Sequence, residues 1–178
     1  MPATPNRFAL EAATLKDLMS RHAAHGRVTW IGVRPAREVP MRELPRVRAQ
    51  AGRGLEGDRY SGGGKRQVTL LQAEHLPVIA GLAQREAVQP ALLRRNLVVA
   101  GISVLALKNQ RFRIGSALFE GSGPCEPCSK METALGPGGY NAMRGHGGVC
   151  ALVIEDGEIA VGDAVVALGV DRLERKQS

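Results

Sequence analysis

The stretch "GVCALVIEDGEIAVGDAVVAL", residues 148–168, decides how the fold is read. Three brief runs rich in Val, Ile, Leu and Ala are interrupted by Asp156-Gly157 and Gly162-Asp163, and runs of this length between turn residues read as β-strands. The Asp-Gly pair predicts a hairpin turn, and Gly162-Asp163 predicts the meeting point of two further strands. Working outward, the same signature recurs in "RVTWIGV" (27–33), "PRVRAQ" (45–50), "RQVTLLQ" (66–72), "NLVVAG" (96–101) and "RFRIGSALFEG" (111–121). Helical character is confined to a few places. "AEHLPVIAGLAQRE" and "PALLRR" form an interlude between the third and fourth of these runs, with Pro77 and Gly81 limiting its regularity. A short helix is predicted from near Pro124 in "PCEPCSKMETAL", stopped by the breaker at Gly136 to Gly139. Near the N-terminus, "TLKDLMSRHAA" places Leu15, Leu18, Met19 and His22 at helical spacing behind a Thr14 cap, and Gly26 ends it. Many short strands with few intervening helices predict a mostly β (α+β) fold, a largely antiparallel sheet or barrel rather than a doubly wound parallel one.

The organisation expected from these signals is an N-terminal helical extension over residues 1–25, one β domain over 26–169, and a tail over 170–178 that is frayed or helical. At 178 residues the chain fits one domain, and a domain of that size needs no metal to fold. Its six aromatic residues are too few to build base-stacking platforms, which disfavours nucleic acid as a partner. The formal charge of +7 is uneven, because residues 27–66 carry ten Arg or Lys against four Asp or Glu. Such a concentration suits an anionic ligand as well as a solvated surface. Three cysteines, without an apolar signal segment or a bilayer-length run, lead us to expect a cytoplasmic protein with no membrane partner and no closed disulfide framework.

All three cysteines fall in residues 121–150, and three chemistries compete for them. Cys125 and Cys128 followed by His146 and Cys150 form C-x2-C…H-x3-C, a four-ligand set for zinc, which would suit a zinc-stabilised basic nucleic-acid-binding module. Against it, Cys150 sits in strand alternation with Leu152 and Ile154 and reads as a small core residue. Cys125-Glu126-Pro127-Cys128 resembles a redox dithiol, yet no βαβ rhythm surrounds it. The third chemistry uses Cys128, at a helix start where ionisation is eased, as the one thiolate ligand of a metal centre in a larger cofactor. A phosphate on such a cofactor would find Arg53, Arg59, Lys65 and Arg66 in "GRGLEGDRYSGGGKR" (52–66), where Gly62 to Gly64 permit close backbone approach.

Five segments, in order, resemble the MOSC domain family, named for the C-terminal domain of molybdenum cofactor sulfurase. They are "GLEGDRY" (54–60), "QVTLLQAEHL" (67–76), "LLRRNLVVAGI" (92–102), "RFRIGSALFEGSGPCEPCSKME" (111–132) and "GGVCALVIEDGEIAVGDAV" (147–165). The resemblance spans Gly26 to Gly169 and implies a barrel-like β domain. It assigns the signature P-C-x-K cysteine to Cys128, as catalytic residue and molybdenum ligand, and it leaves Cys125 as a neighbour; in related amidoxime-reducing proteins the second cysteine of C-x-x-C is likewise the ligand. It places Arg94 and Asn96, with Leu97 and Val98, near the cofactor, and Gly57, Asp58 and Arg59 on the pocket rim. The implied cofactor is the pyranopterin molybdenum cofactor (molybdopterin), which a purified sample can lack. The implied activity is reduction of small N-hydroxylated compounds with electrons from a redox partner; the alternative is a sulfur or cofactor carrier working with a delivery protein. The sulfurase's pyridoxal phosphate domain has no counterpart here, so that cofactor is not expected.

Overall fold

The computed structural model describes residues 13–60 and 62–169, so the expectations for residues 1–12 and for the tail lie outside the described residues. Within them the chain forms eleven strands: β1 Gly26–Val33, β2 Arg42–Glu43, β3 Arg46–Gln50, β4 Gly54–Leu55, β5 Val68–Gln72, β6 Leu97–Ala100, β7 Arg111–Ile114, β8 Ala117–Pro124, β9 Val149–Glu155, β10 Gly157–Ala160 and β11 Ala164–Gly169. Seven of them close a barrel in the order β11-β7-β8-β9-β5-β6-β1, and β1 returns to β11 through Gly26 opposite Val165. Every barrel pairing is antiparallel except β5–β6, whose crossover contains the helix α2, His75–Leu82, and a 3-10 turn at Pro90–Leu93. The mostly β, largely antiparallel barrel read from the sequence is the observed architecture.

Strand alternation sorts the core into an inside and an outside layer. Val28, Ile31, Leu70, Leu97, Val99, Phe112, Phe119 and Val149 fill the barrel. Trp30, Leu71 and Val98 point outward and are covered by Ile79 of α2, Leu93, and Met131, Leu135 and Met143 of the two later helices. β5 is buried on both faces for this reason, so that even the polar Thr69 and Gln72 of "VTLLQ" are buried. Phe112 and Phe119 face each other across β7–β8, fully buried, with ring centroids 5.6 Å apart.

Several expectations need correction. Asp156-Gly157 is not a hairpin turn, because β10 pairs with β3 rather than β9. Asp156 instead accepts hydrogen bonds from Ala51 N at 2.7 Å and from Arg48 at 3.3 Å, directing the chain into a small antiparallel sheet of β10, β3 and β4. The strands flanking Gly162-Asp163 do not pair either. Gly162 N donates to Val28 O and Val28 N to Asp163 O, so the turn delivers β11 to β1. The helix expected near Pro124 starts later, as α3 Lys130–Leu135, since Cys125 N still donates to Gly148 O in a continuation of the β8–β9 ladder. The breaker stops α3 at Gly136, as expected, but it also leads into another short helix, α4 Gly139–Met143, after Gly136 and Gly138 turn at positive φ; Glu132 accepts from Gly138 N and Tyr140 N across the gap. Near the N-terminus the helix α1, Leu15–Met19, follows its Thr14 cap, with the reciprocal Asp17 hydrogen bonds of a capping box, but it ends at Ser20 rather than at Gly26, where β1 begins. Among the described residues no helix is long and apolar enough to cross a membrane.

Candidate functional site

Strand direction gathers the chemistry at one rim of the barrel. β1 ends there and β5 and β6 begin there, and the stagger of the neighbouring strands brings the end of β8 and the start of β9 to the same level, Val149 standing opposite Leu70 and Leu70 opposite Leu97. The loops attached to those ends carry Arg34, residues 58–67, residues 94–96, residues 125–130 and the glycine pair Gly147-Gly148.

Buried polar brackets fix these loops. Asp58 accepts hydrogen bonds from Arg34 N at 2.7 Å and Tyr60 N at 3.1 Å; burial raises its pKa, and the Tyr60 hydrogen bond offsets part of that rise. Asn96 accepts from Thr69 N at 3.0 Å and Thr69 Oγ1 at 2.9 Å, and its amide donates to Gly32 O at 3.2 Å. One side chain therefore ties the starts of β5 and β6 to the end of β1. Arg94, immediately before it, adopts the left-handed region (φ 57, ψ 39), which turns the chain and releases its side chain toward the surface.

A narrow cleft opens over this bracket, lined by Arg34, Asp58, Arg66, Arg94 and Asn96. On one side it shares Tyr60 and Arg66 with a groove of about 510 Å³ over Arg59, Gly62 to Gly64 and Lys65. On the other it shares Met41 and Arg94 with a groove of about 390 Å³ that reaches Lys130, Thr133 and Ala134 of α3. Tyr60 stands between two guanidinium groups, Arg59 at 4.8 Å and Arg66 at 5.3 Å from its ring. The expected basic residues Arg59, Lys65, Arg66 and Arg94 thus share one continuous surface. Arg53 is exposed and is not part of it.

Beside the cleft lies a thiol cluster organised by Arg95, which is 3 % exposed. Its guanidinium donates to Gly147 O at 2.8 Å, Leu93 O at 2.9 Å and Cys125 O at 3.2 Å, pinning three loops with one planar fork. Burial lowers the Arg95 pKa, yet the group stays charged. Gly147 must be glycine, because a Cβ there would run into the Cys125 carbonyl, and Gly148 follows at φ 84. Cys125 is buried beside the Cys150 thiol. Its interaction with that thiol, helped by the positive charges of Arg95 and Arg66 and opposed by burial, holds the Cys125 pKa down at about 6. Cys150 is pushed up by the same interaction and by burial, and its Sγ lies 4.0 Å from Pro124 O. Cys128 is exposed, two residues ahead of Lys130 and within the field of Arg95.

The four-ligand zinc set is not assembled. His146 turns away from the thiols: its Nδ1 lies 3.2 Å from Ala142 O, and its ring meets His75 edge-on at 5.0 Å. Among the described residues no group of three or more His, Cys, Asp or Glu is placed to hold a metal ion. Cys150 is buried, as its strand context predicts, and is also engaged with Cys125. Sequence reasoning missed Arg95, Arg34 and Thr69. Strand alternation leading into Leu97 was the available signal for Arg95, but it does not say which arginine of the Arg94-Arg95 pair turns inward.

A MOSC domain family model matches residues 57–166. Among solved structures, the chain is similar to the YuaD protein from Bacillus subtilis at 17 % identity and a TM-score of 0.71, covering 82 % of this chain and 96 % of that one. It is similar to YiiM from Geobacillus stearothermophilus at 18 % identity and 0.67, covering 80 % and 75 % of the two chains. For YiiM from Escherichia coli the values are 22 % and 0.62, covering 80 % and 70 %. These likenesses establish a common fold. No protein of curated function matches the sequence.

Proposed function

The chain belongs to the MOSC domain family, whose members can bind the molybdenum cofactor, and we propose that its basic barrel rim binds the pyranopterin form of that cofactor through Cys128. The observation that carries this reading is the exposed Cys128 at the head of α3, whose Lys130 lines the same surface as Arg94, Arg66, Lys65 and Arg59. The donor set fits such a group. A reachable thiol suits a soft or high-valent metal, and arginine and lysine beside a glycine-rich loop suit a phosphate.

When bound, the molybdenum centre supplies two-electron oxygen-atom transfer, here from an N-hydroxylated compound, with electrons delivered by a partner protein. The chain's own residues hold and orient. Cys128 offers its sulfur as ligand; Arg59, Lys65 and Arg66 face the anionic end; Asn96 and Asp58 keep the rim loops in place without spending their polar atoms on a ligand. Arg95 holds the backbone three residues before Cys128 through the Cys125 carbonyl, which limits how far the ligand sulfur can wander.

Elemental analysis of protein from a host that makes the cofactor tests the reading. Molybdenum is expected near one per chain in the wild type and in Cys150→Ala, and is expected to be lost in Cys128→Ser. Retention of molybdenum by Cys128→Ser sinks the ligand assignment. Loaded protein that fails to reduce N-hydroxylated bases with an artificial electron donor favours the carrier alternative over the enzyme.

A further inference from the structure

Two of the three thiols take no part in the proposed cofactor site, yet the fold brings them together and holds them still. Cys125 sits one residue beyond β8 and Cys150 is the second residue of β9. In the ladder Gly123 opposes Cys150 and Pro124 opposes Val149, so Cys125 lies diagonally across from Cys150 with its side chain on the same face. The two side chains act on each other's ionisation, drawing Cys125 down and pushing Cys150 up. The backbone of Cys125 is fixed at both ends of its peptide unit, its N–H on Gly148 O at 2.8 Å and its carbonyl on Arg95 at 3.2 Å. The Arg95 guanidinium that holds this carbonyl also places its positive charge beside both thiols.

We infer that Cys125 and Cys150 form a dithiol site for small hydroperoxides, closing to a disulfide across β8 and β9. In the first step the Cys125 sulfur attacks the outer peroxide oxygen and an S–O bond forms. The O–O bond breaks, and the departing oxygen leaves as water or an alcohol after taking a proton from solvent. In the second step the Cys150 sulfur attacks Cys125 Sγ; the S–S bond forms, the S–O bond breaks, and the Cys150 proton leaves with the hydroxide as water. The two sulfurs together lose two electrons, and the peroxide gains them. An external thiol restores the pair by exchange.

Arg95 and Arg66 are both placed to stabilise the sulfur anion that attacks. The burial of Cys125 at 2 % and Cys150 at 9 % sets the selectivity. An oxidant as small as hydrogen peroxide can enter on a local fluctuation, whereas a bulky disulfide reagent meets only the exposed Cys128. The site does not depend on the cofactor, and its failure would leave the Cys128 assignment untouched.

The test uses the full chain without cofactor, as wild type, Cys128→Ser and Cys150→Ala, treated with hydrogen peroxide, alkylated and mapped after trypsin. Cleavage after Lys130 and Arg144 puts Cys125 and Cys150 on different peptides, so the disulfide appears as a cross-linked pair. In Cys128→Ser both remaining thiols are expected to disappear together, with loss of two hydrogens from the intact mass, and dithiothreitol is expected to reverse it. In Cys150→Ala the Cys125 sulfenic acid is expected to be trapped by dimedone instead. A Cys125–Cys128 link in the wild type with Cys150 free overturns the inference. So does a native Cys128→Ser protein whose thiols survive peroxide that fully oxidises the same protein in urea.

Discussion

Replacing Arg95 by Met removes one charge and three hydrogen bonds from the interior while keeping most of the aliphatic stem. The three acceptors, the carbonyls of Leu93, Gly147 and Cys125, lie on separate loops at the same rim. Hydrogen bonds from a charged donor contribute roughly 1.5–3 kcal/mol each. Against that sum stands the desolvation of the guanidinium, several kcal/mol by order of magnitude, so a net loss of about 3–4 kcal/mol is expected. A second component depends on pH. The Cys125 pKa lies at about 6 in the folded protein against 9.0 in its ordinary state, which corresponds to at most about 4 kcal/mol of stabilisation. For an acid whose folded pKa is depressed, that contribution is complete above the unfolded value and is lost as pH falls through the folded value. Wild-type stability should therefore rise between about pH 6 and pH 9. Above that it should decline, because Cys150 is held protonated in the fold while its unfolded counterpart ionises. In Arg95→Met the rise should be shallower but present, since the interaction with Cys150 is the larger cause of the depression and survives. Urea unfolding followed by circular dichroism across that pH range measures both components. A variant losing less than about 1 kcal/mol, with a pH slope matching wild type, refutes the account of Arg95 as the pin of the rim.

Asn96→Ala should cost about 2–4 kcal/mol in the same assay, because it leaves the Thr69 N–H and the Gly32 carbonyl buried without a partner. Phe112→Ala, at the centre of the barrel and stacked on Phe119, should cost about 3–5 kcal/mol without changing the thiol reactivity of the native protein. Inorganic phosphate should raise the thermal midpoint of the wild type, and Arg66→Ala should lose at least half of that rise while its midpoint in phosphate-free buffer stays within about 2 °C of wild type, as befits an exposed side chain. Equal protection of both proteins by phosphate would remove Arg66 from the anion surface.

Brief β-branched runs between turn residues marked the seven barrel strands, with β7 and β8 inside the single run "RFRIGSALFEG" (111–121), since a strand of that kind declares itself locally. Pairing does not. Asp156-Gly157 carries a strong local turn signal, but Glu158 finds Arg48, and the choice is made by Asp156 capping Ala51 N across a large sequence separation. α4 is a single turn, too short for a helical period to emerge, and it exists because Glu132 satisfies the N–H groups of Gly138 and Tyr140. At the site, Arg59, Lys65, Arg66 and Arg94 were visible as charge beside glycine. Arg95 was hidden by chemical identity with its neighbour: only the left-handed turn at Arg94 decides which of the two enters the interior. The zinc spacing misled because sequence distance ignores direction, and Gly145 at φ 75 leaves His146 on the α4 side.

The seam where Gly26 meets Val165 also governs the order of events during synthesis. β1 precedes β11 by the length of the barrel in sequence, so the ring stays open, with the Gly26 end of one β1 edge unpaired, until β11 has been made; β2 covers only the other end of that edge, at Gly32 and Val33. An unpaired edge invites pairing with other chains. A nascent chain of this fold is therefore open to strand exchange at that end of β1 from the making of β1 to the making of β11.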